Sequence, residues 1–225
     1  MQKTIYLLLS VILCAFSAMA QEVGSGPIIN QKSVQLTVGT QGVGGDFSYG
    51  VLKKLALRVG GSFIPVTANN VLKISGFNSN NKVTASFYNA HLLADFTPFE
   101  SIRSLRLVGG AAYFFKAAGN FDIQPTDTYT YGQLALSKDD VGEVHMNADW
   151  KGVAPYLGIG IVKVFPRHLF NVNIDLGSYY LPTPHSTIIG TGLLEGNSSQ
   201  TAQLDKNIHN YRFLPVVQLN FSFKI

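Results

Sequence analysis

Residues 211–225, Tyr211-Arg212-Phe213-Leu214-Pro215-Val216-Val217-Gln218-Leu219-Asn220-Phe221-Ser222-Phe223-Lys224-Ile225, decide the fold. Tyr211, Phe213, Pro215, Val217, Leu219, Phe221, Phe223 and Ile225 fall at alternate positions. Arg212, Leu214, Val216, Gln218, Asn220, Ser222 and Lys224 fall between them. A period of two is the mark of a strand whose successive side chains point to opposite faces. A soluble sandwich uses strands of about five or six residues and carries many charges on its outer face. This run is longer, and its second face is short of charge. An apolar face turned to lipid, with the other face turned into a narrow lumen, explains both features. Such strands need about 9–11 residues to cross and must close into a ring that leaves no edge unpaired.

The same alternation recurs upstream. Leu55, Leu57, Val59 and Phe63 alternate with Ala56, Arg58, Gly60 and Ser62; Leu105, Leu107, Gly109, Ala111, Tyr113 and Phe115 alternate with Arg106, Val108, Gly110, Ala112, Phe114 and Lys116. Phe170, Val172, Ile174, Leu176 and Tyr180 stand opposite Asn171, Asn173, Asp175, Gly177 and Tyr179, and Leu157, Ile159 and Ile161 opposite Tyr156, Gly158 and Gly160. Tyr88 to Phe96 repeats the pattern more weakly. The crossing segments are 53–66, 82–96, 102–116, 153–164, 168–181 and 210–224, preceded by 33–50. Within 33–50 the apolar phase switches from Val34, Leu36 and Val38 to Val43, Phe47 and Tyr49 across Thr40-Gln41-Gly42. A bulge or a tight turn produces such a switch. The turn is favoured, because it yields the even strand number that bacterial barrels use and returns both termini to one side. The expected fold class is all-β: a closed antiparallel transmembrane β-barrel of eight strands.

Connections alternate in length. Residues 50–54, 97–100 and 165–168 are short, whereas 67–81, 117–151 and 182–208 are long and polar, as periplasmic turns and outer loops are. Val71 to Ile74 and Asp122 to Leu136 have strand-like composition, so the long connections are expected to hold hairpins rising above the membrane. Phe47, Tyr49, Phe96, Phe99, Phe221 and Phe223 lie next to short turns, and Phe63, Tyr113, Phe115, Tyr180, Tyr211 and Phe213 next to long loops. Two aromatic girdles flanking an apolar band account for that clustering.

Composition agrees. Charged residues make up 13% of 225, against roughly a quarter in soluble proteins, and hydrophobic residues 46%. Lys3, the apolar stretch Ile5 to Phe16 and Ala18-Met19-Ala20 read as a secretory signal over 1–20, leaving 21–225 as the barrel domain. Cys14, the only cysteine, falls inside that leader behind the bulky Leu13, so neither lipidation nor a thiolate site in the mature chain is expected. The small basic excess and secretion both argue against nucleic acid as a partner.

Gly39-Thr40-Gln41-Gly42-Val43-Gly44, Leu55 to Gly60, Leu92 to Phe99, Leu105 to Gly110, Val153 to Gly160, Asp175-Leu176-Gly177 and Phe213 to Ile225 resemble, in order and spacing, the small outer-membrane β-barrel proteins of Gram-negative bacteria, especially the Bacteroidetes type. The resemblance covers most of the mature chain and implies the cell outer membrane as location. It also implies outer-membrane lipid and the barrel assembly machinery as partners, a monomeric barrel, and no established activity.

Candidate chemistry is sparse. Asp46, Arg58, Asp95, Arg106 and Asp175 fall on polar faces and are expected to point inward as a paired ionic network, since isolated buried charges are costly. A narrow solute channel is the alternative use of those charges, but eight strands leave a lumen just wide enough for side chains to fill. His91, His145, His168, His185 and His209 lack metal-ligand spacing. His185-Ser186 and His209 flank the last long loop, where a lipid-modifying enzyme would need a serine, an imidazole and an acid to converge. Gly39 to Gly45 lacks the Lys-Ser/Thr of a phosphate loop, and Asn197-Ser198-Ser199 is a sequon without meaning in a bacterial protein. Catalytic, cofactor-binding and metal sites are therefore all expected to be absent. The leading expectation is a non-enzymatic integral outer-membrane protein with outer loops that bind a ligand or a barrel that supports the envelope.

Overall fold

The phase switch at Thr40-Gln41-Gly42 is a turn. A computed structural model describes residues 28–71, 78–99, 104–131, 134–164 and 170–225. In it β1 (Lys32–Gly39) and β2 (Gly42–Leu52) form a hairpin around Thr40-Gln41 with Gly39 opposite Gly42. Gly42 has φ +84, and a Cβ there would lie 2.0 Å from the carbonyl oxygen of Phe63, so conformation and space both demand glycine.

The chain continues through β3 (Leu55–Asn69), β4 (Ser79–Phe96) and β5 (Leu105–Pro125). A short hairpin of β6 (Tyr129–Tyr131) and β7 (Leu134–Leu136) follows, then α1 (Lys138–Val141), β8 (Val144–Asp149), β9 (Gly152–Val164), β10 (Phe170–Tyr180) and β11 (His185–Gly190). A 3-10 segment (Gly192–Gln200), α2 (Thr201–Ile208) and β12 (Phe213–Lys224) complete it. Antiparallel pairing runs β1-β2-β3-β4-β5 and β9-β10-β12-β1, and the pairing of β5 with β9 closes eight strands into a ring. The protein is a closed antiparallel β-barrel of eight strands.

Its polarity is inverted relative to a soluble sandwich. Leu36, Val59 and Leu157 are 60%, 55% and 75% exposed, while Arg58 and Asp175 are 1% and 2% exposed. An apolar outer belt over a charged interior is the arrangement for a lipid surround. Among the described residues no helix is long and apolar enough to cross a membrane, so any crossing is made by the strands. Most of the girdle aromatics are exposed, and they pair along the rims: Phe170 with Phe223 at 5.0 Å, and Tyr180 with Phe213 at 5.1 Å under the guanidinium of Arg212.

Above the upper girdle the polarity flips. A bulge opposite Tyr88/Asn89 leaves Phe115 without a cross-strand partner on β4, and beyond it β3, β4 and β5 rise together and recruit β8 and β11 as further strands. Register places Ala68, Val83, Phe121, Met146 and Ile188 in one cross-strand row on the inner face. The neighbouring outer row is Thr67, Thr84, Asn120, Asn147 and Thr187. The outward face thus changes from apolar to polar at the bulge, as water replaces lipid.

These extensions correct the strand ends. The sequence reading stops β3 at 66, starts β4 at 82 and stops β5 at 116, because each loses its apolar outer face there. The strands continue to Asn69, from Ser79 and to Pro125, with the apolar residues now facing inward. The connections 117–151 and 182–208 hold β6 to β8, β11 and the helical segment, more structure than the hairpin expected over Asp122 to Leu136. Asp122 to Leu136 is split between the end of β5 and the β6–β7 hairpin. The Val71–Ile74 strand lies mostly outside the described residues, as do the leader 1–20 with Cys14, Glu100, and the 165–168 turn with His168.

β11 ends the raised sheet, and its free edge is blunted by side chains. The backbone N–H groups of Ser186, Ile188 and Gly190 donate to Asp205 Oδ1 (2.7 Å), Thr201 Oγ1 (3.0 Å) and Ser198 Oγ (2.9 Å). Three successive edge donors are satisfied by the helical segment, which removes a template for strand addition. Ser198, read from sequence only as part of a sequon, belongs to this edge cap.

Candidate functional site

Two arrangements of polar side chains stand out, one in the lumen and one on the raised sheet. The lumen contains the five charges that alternation places inward, and they meet. Arg58 Nη1 donates to Asp175 Oδ2 at 2.9 Å, and Arg58 also lies 3.4 Å from Asp95 and 3.8 Å from Asp46. Arg106 donates to Asp95 at 3.1 Å and to Asp175. Asp175 accepts a third hydrogen bond from Asn220 Nδ2 at 2.8 Å, which makes it the hub. His91 Nε2 lies 2.9 Å from Asp46 Oδ1, and its Nδ1 lies 3.0 Å from Asn89 Oδ1. Each carboxylate is paired or hydrogen-bonded, which is the condition for keeping charges in a low-dielectric interior.

A second layer lies on this network. Phe114 meets Tyr179 edge-on at 5.4 Å, and Tyr179 meets Tyr156 at 4.6 Å; Leu93, Val108, Ala112, Ala154 and Val216 fill the space around them. Arg58, Phe114, Val108, Ala154 and Asn220 are all 0–1% exposed. Side chains fill the lumen at both levels.

The partners of the five charges were not singled out from sequence. Asn89, His91 and Asn220 sit at inward positions of β4 and β12, so the parity that located the charges also points to them. His91 is a network member rather than one of a scattered set. His185 and His209 do not join Ser186. The Ser186 hydroxyl donates directly to Asp205 Oδ1 at 2.6 Å, and among the described residues no hydrogen bond joins a serine hydroxyl to an imidazole.

The second arrangement is a cleft of about 470 Å³ at the top of the raised sheet. Register sets Asn69, Lys82, Asp122 and His145 in one outward row across β3, β4, β5 and β8, with Asn80 and Gln124 facing each other one step higher. All six line the cleft. Asn70, at φ 55, turns the tip so that its side-chain oxygen accepts from the Asn81 backbone at 3.3 Å. His145 Nδ1 lies 2.8 Å from Asp122 Oδ1, and its Nε2 lies 3.3 Å from Glu143 Oε2. The Asp122 hydrogen bond, aided by both negative charges, holds the imidazole proton above the ordinary histidine range. Sequence reading missed this cleft because it ends β3, β4 and β5 short of it.

That histidine has a pH consequence. A raised folded value means the proton stabilises the native β5–β8 contact at pH below about 6.5, and this stabilisation fades as pH rises through the raised value. Hydrogen exchange at β8 amides, corrected for intrinsic pH dependence, is expected to speed up severalfold from pH 5.5 to 8.5. His145→Ala is expected to remove the pH dependence. Asp140, which accepts from Ser137 in the cap of α1, and Asp205, which accepts from Ser186, are held below the ordinary carboxylate range. They act in the opposite direction, losing their contribution only in acid.

No protein-family model matches the chain, and no curated protein matches it. Among solved structures it is similar to Acinetobacter baumannii CarO2, at 20% identity and a TM-score of 0.64, over 87% of this chain and 98% of that one. It is similar to Acinetobacter baumannii CarO at 20% identity and 0.62, over 88% and 97%. A looser match, a major outer membrane protein from Thermus thermophilus, has 13% identity and a TM-score of 0.41, over 87% and 98%. These structures are outer-membrane β-barrel proteins of Gram-negative bacteria. The likeness to the first two establishes the class of fold, a small closed β-barrel, and nothing of activity.

Proposed function

We propose that the chain, after loss of the leader 1–20, is a non-enzymatic outer-membrane protein whose sealed barrel anchors a raised, ligand-binding sheet outside the cell. The observation that carries this reading is the filled lumen, in which Arg58 and Phe114 are buried at successive levels. An eight-stranded ring has no spare width once those side chains are in place. The ring has no free edge, so a monomer in outer-membrane lipid satisfies every spanning strand, and the spacing from Gly39 to Ile225 supports a place beside the Bacteroidetes-type barrels. The direct Ser186–Asp205 hydrogen bond weighs against the lipid-modifying alternative.

Planar bilayers test the reading. The refolded chain is expected to insert without steady conductance steps at neutral pH in molar KCl. A steady conductance whose ion selectivity shifts in Asp95→Asn would instead establish the narrow-channel alternative.

A further inference from the structure

We propose that the cleft on the raised sheet binds a neutral oligosaccharide, with Asn80, Gln124 and Asp122 as its hydrogen-bonding residues. This rests on the reading of the chain as an outer-membrane barrel and names the ligand class of its outer surface. Four observations carry it. The first is the chemistry of the lining: Asn69, Asn80 and Gln124 offer amides that donate and accept, and Asp122 offers an acceptor, which matches hydroxyl groups that themselves both donate and accept. The second is charge. Lys82 stands opposite Asp122, and His145 lies between Asp122 and Glu143, so two cationic groups face two carboxylates and the walls have no surplus sign to reward an anion or a cation. The third is polarity: none of the lining residues is a large apolar one, which disfavours acyl chains and flat aromatic ligands.

The fourth is placement. The volume of about 470 Å³ falls in the range of small-ligand sites. The cleft faces outward, and its β5 residues Asp122 and Gln124 lie about 23–30 Å along the strand beyond Phe115 of the upper girdle, at roughly 3.3 Å per residue. That height is above the lipid head groups, where the sugar chains of membrane glycolipids stand and where free glycans arrive. Both sources offer the same chemistry.

The test uses the mature chain refolded in detergent, checked for a closed barrel by heat-modifiable migration. Binding is measured by calorimetry for two probes: core oligosaccharide released from lipopolysaccharide by mild acid, then dephosphorylated and carboxyl-reduced so that it is neutral, and a neutral trisaccharide such as maltotriose. Saturable binding of either probe, weakened about tenfold or more by Gln124→Ala and by Asp122→Ala and unchanged by Thr187→Ala elsewhere on the sheet, supports the site. Binding confined to the released core assigns the membrane's own glycolipid as the source, and binding of maltotriose assigns an external glycan. A closed barrel that binds neither, or whose binding ignores the cleft substitutions, overturns the proposal and leaves the barrel reading standing. Absence of a heat-modifiable barrel overturns both.

Discussion

Arg58→Met is expected to destabilise the refolded barrel by about 3–5 kcal/mol, the cost of leaving buried charge without its partner. Arg58 lies within ion-pair distance of Asp175, Asp95 and Asp46, and its side chain is 1% exposed, so water cannot replace it. Methionine fills much of the volume and supplies no charge, which isolates the electrostatic loss from a cavity term. Three carboxylates then share one guanidinium, that of Arg106, and Asp175 loses its 2.9 Å ion pair while keeping Arg106 and Asn220. Pairing the substitution with Asp175→Asn should therefore recover part of the loss, with a coupling of about 0.5–3 kcal/mol in the double-mutant cycle. Denaturant titration followed by tryptophan fluorescence and gel migration measures each corner. Additive effects would show that the two side chains act independently and that the lumen network is not the element holding the wall strands together.

That network was legible in the sequence because a barrel has only two faces. Once Leu57 and Val59 are assigned to lipid, Arg58 has nowhere to go but inward, and the same parity carries Asp46, Asp95, Arg106 and Asp175. The eight-strand count followed from the phase switch at Thr40-Gln41-Gly42, where a turn and a bulge differ in whether the termini meet. Parity says nothing of reach, so Asp175 as hub and the Tyr156–Tyr179–Phe114 layer required coordinates. The raised sheet was legible only as strand-like composition over Asp122 to Leu136, for a different reason. Beyond Phe115 the outward face becomes Asn120, Asp122 and Gln124, which reads as loop to any rule that expects lipid outside. The apolar partners Val83, Phe121 and Met146 are scattered over three segments, and only pairing assembles them into a face. β8 and β11, of six residues each, are too short for alternation to declare them.

Gly160→Val and Gly109→Val, on neighbouring strands, are expected to differ by about 3 kcal/mol or more in stability, and that difference tests which face is which. Gly160 faces the lumen opposite Arg106, and a Cβ there would lie 2.3 Å from Arg106 Nε and 2.6 Å from Asp175 Oδ1. Valine at this point must push the guanidinium off the hub carboxylate, so overpacking is compounded by a weakened ion pair. Gly109 faces the other way: a Cβ there meets nothing nearer than the carbonyl oxygen of Tyr156 at 4.0 Å. Valine at 109 adds apolar surface to the lipid belt and a residue with higher strand preference, so it should be neutral or mildly stabilising. Denaturant midpoints in one lipid composition compare the two directly. Equal losses at both positions would mean that Gly109 also packs against protein, which a lipid-facing wall does not allow. The reverse order would place Arg106 and Asp175 on the outside and dismantle the barrel assignment with them.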